Sequence, residues 1–388
     1  MSELTINRER LLNEFIHLTT FDAPSYHEKE IAGYVKNELK CLGLRVEEDS
    51  AYEKLLAEDP ARTDTASNIY AYLDGTDKES EPILFSAHLD TVSPGIGKKA
   101  VVHEDGTITS SGDTVLGADD AAGLSAILEA LRIITENNIS HPPIEILFSV
   151  AEEPFCIGSR FFEYDRLKAK EGYVLDLTGP VGTAANAAPS VVSLDIEIKG
   201  RAAHAGFSPE NGINALTIAS EALSKIKTGR VEEDLTVNFG TIQGGNGRNI
   251  VPEYIKIQGE IRAGEHAKVL KEAEKIRDVF ESAAEKAGGK LSFSVAENIR
   301  AYRIPEERPV VKRFIKAVSG VPGAVKPGLI TTYGGSDANR LNEHGIETIV
   351  VATAMENCHS SNEYTTVPEL ERAALLTLRL MTDVNIEK

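Results

Sequence analysis

Phe85-Ser86-Ala87-His88-Leu89-Asp90-Thr91 closes the apolar run Pro82–Ala87 with a histidine and an aspartate two residues apart. Residues i and i+2 of a strand face the same way, so His88 and Asp90 can stand side by side. A histidine that binds a metal through one ring nitrogen commonly gives its other N–H to a carboxylate, the position Asp90 would hold. Taken alone, the pair is better described as a strand-end histidine with an adjacent turn acid. The pattern recurs, however. Ile144–Val150 runs into Ala151-Glu152-Glu153-Pro154, Tyr173–Leu177 ends around Asp176, and Thr348–Ala352 leads to Cys358-His359-Ser360. Gly117-Ala118-Asp119-Asp120 opens the helical stretch Ala121–Ile134, where acids are also favoured by the positive end of the helix dipole. Capping and solvation account for each segment separately; they do not account for five of them. In open α/β sheets ligands bind beyond the carboxyl ends of strands. A mixed histidine and carboxylate set suits zinc, manganese or cobalt better than calcium or magnesium alone. Glu152 and Glu153 would repel each other if partly buried. A metal on one would relieve that and leave the other to take a proton from water.

The rest of the chain supplies the frame. Helical spacing of apolar residues predicts helices over Arg8–Thr19 and Glu28–Leu42, and strands over Asn68–Leu73 and the runs named above. Short strands apolar on both faces and separated by helices predict an α/β domain with a mainly parallel sheet. The middle differs. Thr183–Ser190, TAANAAPS, reads as a linker. Beyond it come strand Val191–Lys199, helix Asn214–Ile226, strands Leu235–Gln243 and Tyr254–Arg262, helix Ala267–Ala287 and strand Lys290–Val295. That order, β-α-β-β-α-β, is the ferredoxin-like pattern. After Arg303-Ile304-Pro305 the α/β pattern resumes. The expected domains are therefore 1–188 and 301–388 as two parts of one α/β domain, with 189–300 inserted between them.

Composition narrows the function classes. A chain of 388 residues with 41% hydrophobic and 26% charged residues is an ordinary globular protein of two or three domains. Lys plus Arg number 41 against 60 Asp plus Glu, a net charge of −19. Binding to phosphate backbones leans on Lys and Arg, so neither a nucleic acid nor an anionic membrane is an expected partner. The start, MSELTINRER, has no apolar core of a leader, and no run of eighteen apolar residues occurs. Cys41, Cys156 and Cys358 are far apart and form no CxxC, which excludes a disulfide framework and a cysteine-rich zinc finger. A reduced, cytoplasmic enzyme is expected. Residues 190–300 carry 15 Lys plus Arg against 16 Asp plus Glu, so almost all of the net charge falls on the α/β domain.

The segments SAHLDTV (86–92), GADDAAG (117–123), AEEPFCIGS (151–159), GRAAHAG (200–206), GGSDANRL (334–341) and CHSSNEY (358–364) resemble, in this order, the M20 family of dinuclear metallopeptidases. Within it they are most similar to the peptidase T-like aminotripeptidases. The resemblance implies a zinc-exopeptidase-type catalytic domain with a ferredoxin-like lid inserted into it. It makes His88 and Asp176 ligands of one divalent ion, Glu153 and His359 ligands of a second, and Asp119 the bridge between them. Glu152 would be the general base, with Asp90 behind His88. The Asp119–Asp120 bond falls where the family has a cis peptide. On the lid, His204 would stabilise the oxyanion, while Asn249 and Arg262 would hold the substrate's carboxylate; Arg's planar fork suits that group. Gly335, in the last part of the chain, is a further substrate-binding candidate. Two departures stand out: Ala121 where many members carry Lys, and the unusual Pro154-Phe155-Cys156 after the glutamate pair.

The resemblance thus implies an exopeptidase that removes the N-terminal residue of short peptides, with two divalent ions, zinc first and manganese or cobalt as alternatives, and a homodimer formed through the lid. Hinges near 185–190 and 298–305 would close the lid over substrate. An N-acyl-amino-acid amidohydrolase using the same centre is the alternative enzyme, and a non-catalytic peptide-binding relative the alternative of another class. No GxSxG, GxGxxG or Walker A stretch supports a serine hydrolase or a nucleotide binder.

Overall fold

In the computed structural model, which describes residues 5–77 and 79–382, the chain divides into two units. Met1–Leu4, the start of the stretch read above for a leader, lie outside the described residues. The larger unit comprises residues up to Ala187 together with Arg303–Thr332 and the chain from Ser336; the smaller comprises Ala188–Tyr302 and Tyr333–Gly335.

The larger unit is built on the strands β1 (Arg45–Glu48), β2 (Ile69–Leu73), β3 (Ile83–His88), β4 (Ala100–Val102), β5 (Thr107–Ser110), β6 (Ile144–Ser149), β7 (Glu171–Thr178) and β8 (Thr183–Ala188). Past the insertion it continues with β14 (Tyr302–Arg303), β15 (Gly328–Thr331), β16 (Glu347–Met355) and β17 (Tyr364–Thr366). Its main sheet runs β1-β2-β6-β3-β7-β16-β8, and the contiguous strands β6, β3, β7 and β16 are parallel neighbours. The fold is the α/β class expected, with antiparallel pairs β1–β2, β2–β6 and β16–β8 flanking the parallel centre. β3 and β6 are buried at every residue, which is why they read as unbroken apolar runs. A small sheet, β17-β5-β4, stands apart.

Helices cover the sheet: α1 (Arg8–Thr19), α2 (Lys29–Cys41), α3 (Ala51–Glu58), α4 (Ala118–Asn137) and the short α5 (Ile157–Arg160) before the insertion, then α8 (Pro309–Ser319), α9 (Asp337–Glu343) and α10 (Val367–Thr382) after it. α4 is buried at every residue from Ala118 to Ile134 because it lies between the sheet and the pair α1, α10. A helix covered on all sides has no polar face to display. Each Leu or Ile sealed there contributes roughly 1.5–3 kcal/mol. Among the described residues no helix is long and apolar enough to cross a membrane.

The smaller unit is one antiparallel sheet, β10-β11-β12-β9-β13, formed by β9 (Ser190–Lys199), β10 (Gly229–Glu232), β11 (Leu235–Gly244), β12 (Tyr254–Ala263) and β13 (Lys290–Ile299). α6 (Ala215–Leu223) and α7 (His266–Ala287) pack on one face around Val192, Leu194, Ile196, Ile257 and Phe280. β10 adds an edge strand to the expected βαββαβ order.

One expectation is corrected. Thr183–Ala188 is not a linker but β8, paired parallel with β15 and antiparallel with β16, with Ala184, Ala185, Ala187 and Ala188 buried. Small side chains lower the local β-propensity, yet they suit a strand packed closely on both faces. Pro189 alone separates β8 from β9.

Two glycines make contrasting stability predictions. A Cβ on Gly158 would sit 1.9 Å from the Val150 carbonyl oxygen and 2.8 Å from Asn68 Oδ1, so Gly158→Ala should cost at least about 2 kcal/mol. A Cβ on Gly33, inside α2, meets nothing within 4 Å, so Gly33→Ala should stabilise by roughly 0.5–1 kcal/mol. Chemical denaturation of the two variants reads both signs; equal effects would contradict the packing described.

Candidate metal and catalytic site

The carboxyl ends of the parallel strands carry the polar cluster. β3 ends in His88 and β7 carries Asp176, while β6 leads into Glu152 and Glu153. α4 begins at Ala118, just before Asp119, and the loop after β16 holds His359. Asp119 sits between two histidines: its Oδ1 is 2.9 Å from His88 Nε2 and its Oδ2 is 3.2 Å from His359 Nε2. Asp176 Oδ1 is 4.0 Å from His88 Nε2, and Glu153 Oε2 is 3.1 Å from His359 Nε2. The ligand atoms thus form two overlapping groups, His88–Asp119–Asp176 and Asp119–Glu153–His359, each with all its atoms within 4.8 Å of one another. Asp119 belongs to both.

The backbone around them is held by further acids. Asp90 Oδ1 lies 3.5 Å from His88 Nδ1 and accepts the Glu152 N–H at 2.9 Å; its Oδ2 accepts from Ser25 Oγ and the Glu153 N–H. Asp120 accepts the His88 and Gly123 N–H groups, turning away from the cluster, and the Asp119–Asp120 bond is cis. Glu28, fully buried, accepts the Ala151 N–H and the Thr65 hydroxyl. Glu363 accepts the Gly117 and Asp119 N–H groups, one on each oxygen. Ala151, Phe155 and Cys156 in one loop, and Ala354 near the end of β16 with Asn357 and His359 in the loop after it, are non-glycine residues with positive φ. Such conformations cost on the order of 1–3 kcal/mol each and persist where surrounding contacts fix them. The β7–β16 register also slips between Val350 and Ala352, opposite the stretch that carries Asp176.

Electrostatics of the cluster are unbalanced. Burial pushes Asp176 well above the usual carboxylate range, and neighbouring Asp119 and Glu152 add to the shift. Burial likewise raises Glu152, helped by Asp337, Glu153 and Asp90, and it raises Glu153. Burial alone would raise Asp119 too, but hydrogen bonds with His359 and His88 outweigh it and hold that group low. His359 is pushed up to about 10 by its hydrogen bonds with Asp119 and Glu153. His88 is also raised: burial opposes this, and hydrogen bonding to Asp119 and Asp90 overcomes it. Glu153 Oε1 is buried without a hydrogen-bond partner. An orphaned donor atom, mutually repelling carboxylates and a nitrogen–oxygen donor set are what divalent cations satisfy. The residues fit metal ions.

A third group, Glu152, Cys156 and Asp337, is fully buried. Ser149 and Ser159 hydroxyls donate to Asp337, with Ser159 Oγ at 2.5 Å, and the Cys156 thiol donates to Glu152 Oε1 at 3.3 Å. Burial and then Glu152 raise the thiol well above its ordinary value, which keeps it an S–H donor. Cys358, beside His359, is likewise raised by burial.

The remaining candidates lie in the smaller unit. His204 Nδ1 accepts the Gly206 and Phe207 N–H groups at 3.1 Å, which places the ring proton of the neutral form on Nε2. The ring stacks on Phe207, 4.2 Å between centroids. His204 also forms a bridge with Ile250, so its loop lies against the segment bearing Asn249. The Arg262 fork is engaged by both Glu260 oxygens at 2.8 and 3.0 Å, and its Nη1 donates to the Tyr333 carbonyl. Gly335 is exposed, two residues beyond Tyr333. Sequence reasoning missed Ser25, Glu28, Cys156, Asp337 and Glu363. Glu28 and Asp337 flank helix starts, where an acid looks like an ordinary cap.

Histidines and carboxylates gathered at the carboxyl ends of a parallel sheet, with a glutamate in reach, define a metal-dependent hydrolase. Residues 186–288 match the model of a peptidase dimerisation domain, named for the M20 peptidases, and residues 68–223 match that of peptidase family M28. The chain is 36% identical over 380 residues to the uncharacterized protein YqjE of Bacillus subtilis strain 168, covering 97% of this chain and 99% of that one. Its fold matches the crystal structure of aminopeptidase PepT from Bacillus cereus ATCC 10987 with 36% identity and a TM-score of 0.87, over 98% of this chain and 99% of the other. A tripeptidase from Staphylococcus aureus subsp. aureus Mu50 matches over the same shares with 33% identity and a TM-score of 0.91. The chain belongs to the M20 family of metallopeptidases, on its peptidase T-like branch.

Proton linkage follows from the raised histidines. In the metal-free protein the His359 pairs stabilise fully below about pH 6.5, and that contribution is lost as pH rises through about 10. Chelated protein should therefore lose melting temperature between pH 7 and 10. Adding zinc at pH 7 should release protons from the histidines, so the calorimetric heat should vary with the buffer's ionisation enthalpy. A melting temperature flat in pH together with a buffer-independent heat would refute this account of the cluster.

Proposed function

We propose that this metallopeptidase is a dinuclear-metal exopeptidase that removes the N-terminal residue from short peptides, tripeptides above all. The observation that carries the reading is Asp119, whose two oxygens face His88 and His359 separately. His88 and Asp176 would hold one ion, Glu153 and His359 the other, with Asp119 shared. Zinc is the first choice, and the same donors accept manganese or cobalt. Bound there, such ions supply Lewis acidity and make water a stronger acid.

Glu152 then carries the proton. It lies in the same buried cluster, and its burial favours the protonated form after it has taken a proton from the attacking water. Delivery of that proton to the leaving amine completes the cycle. Asp90 fixes the backbone of both Glu152 and Glu153 and faces His88, so it sets the geometry of base and ligand together. His204 offers an Nε2–H to the developing oxyanion. Asn249 and Arg262 would take the substrate's terminal carboxylate, which must replace Glu260 at the Arg262 fork, and Gly335 would be a further substrate contact. The match of residues 186–288 to a peptidase dimerisation domain supports a homodimer through the smaller unit. A cytoplasmic location fits the unpaired cysteines. The peptide-bond specificity is supported by the PepT aminopeptidase and the tripeptidase to which the chain is similar.

Glu152→Gln should lower kcat on Ala-Ala-Ala by about 10²–10⁴-fold while leaving metal content unchanged; loss of both, or of neither, would refute the assignment. Arg262→Ala should raise KM roughly ten- to a hundredfold for peptides with a free carboxylate and leave amidated peptides unaffected. Equal effects on both would remove Arg262 from the substrate. N-acetylated Ala-Ala-Ala and N-acetyl amino acids, tested beside the free tripeptide, separate an aminopeptidase from an amidohydrolase.

A further inference from the structure

We propose that Cys156 is a positioning residue for Glu152: its thiol holds Oε1 and so presents Oε2 to the reacting water. The proposal rests on the reading of Glu152 as proton carrier. The sulfur lies 3.3 Å from Glu152 Oε1 and is almost completely buried, 1% exposed. The backbone doubles the link, since the Cys156 N–H donates to the Glu152 carbonyl at 2.6 Å and closes a tight turn. That turn is wound through two successive left-handed residues, Phe155 and Cys156, and is packed from below by Gly158 against the Val150 carbonyl. Such winding folds the chain back on itself and brings the side chain at 156 under the one at 152.

The surroundings fix which carboxylate the thiol serves. Asp337 is close enough to both Glu152 and Cys156 to share one cluster with them. Its oxygens accept the hydroxyls of Ser149 and Ser159, one on each. The thiol hydrogen bond goes to Glu152. Rotation of a glutamate about its terminal bond is soft, and a carboxylate in an acidic cluster has no electrostatic reason to keep one orientation. A donor anchored by its own backbone supplies that reason, and it is placed away from Glu153, whose carboxylate faces His359. Preorganised geometry of this kind acts on the chemical step rather than on substrate affinity.

The test uses steady-state kinetics on Ala-Ala-Ala with metal content and melting temperature measured for each variant. Cys156→Ala, which removes the donor, should lower kcat about ten- to a hundredfold with KM and metal content unchanged. Cys156→Ser, which restores an O–H in the same place, should recover kcat to within about threefold. Cys156→Gly suits the left-handed backbone and keeps the test open if the alanine variant folds poorly; it should match the alanine loss. Wild-type kcat in Cys156→Ala or Cys156→Gly, or an equal loss in the serine and alanine variants, would overturn the proposal. Glu152→Gln in the same assay separates the two readings. If it retains kcat, the role of Glu152 itself fails, whereas a dead Glu152→Gln beside an unaffected Cys156→Ala condemns the thiol alone.

Discussion

Like charges forced together out of water are the constraint on which the larger unit is organised. Asp119, Glu152, Glu153 and Asp176 crowd a buried space in which His88 and His359 oppose them. Burying a carboxylate is costly unless it is paired and hydrogen-bonded, and removing one partner of such a set costs several kcal/mol. The fold can hold this cluster because it is placed at the ends of strands whose own hydrogen bonds and apolar packing are complete. β3 and β6 are buried along their whole length, and α4 is enclosed for most of its own. The stable part of the unit therefore carries an unstable end.

A second ring of acids serves that end. Asp90, Asp120, Glu28 and Glu363 each accept backbone N–H groups from the segments that bear the cluster. Burial raises Glu28 to about 7, with Asp90 adding to it, so even this supporting ring is electrostatically taxed. These four carboxylates serve as backbone clamps, and they lie against loops that hold several non-glycine residues in left-handed conformations.

The α/β class was legible because buried parallel strands leave a local trace: runs such as Ile144–Val150 are apolar on both faces, and each ends in a histidine or an acid. The helices α1 and α7 were legible for the same reason, since their apolar stripes lie within one turn of sequence. β8 was not. Its alanines carry little β-propensity, and only pairing with β15 and β16 makes them a strand. Among the supporting acids Asp90 was legible from its place beside His88, but Glu28 and Glu363 left no trace. Glu363 reaches Gly117 and Asp119 across more than two hundred residues, and nothing local marks it as more than a turn acid. Cys156 looked like an oddity because its partner, Glu152, becomes its neighbour only through a turn built from left-handed residues. Sequence reports contacts that repeat with a period; it is silent about single long-range bonds.

The clamp from Glu363 has a consequence for the order in which the molecule comes into being. The segment holding His359 and Glu363 is joined to Asp119 from a point late in the chain. A growing polypeptide can make the inserted unit well before residue 359, whereas β8 must wait for β15 and β16 to pair with it. Until then Asp119 has only His88 opposite it, and its backbone N–H lacks its acceptor. The site is thus finished by one of the last elements to be synthesised, so the centre stays unassembled until nearly the whole chain has been made.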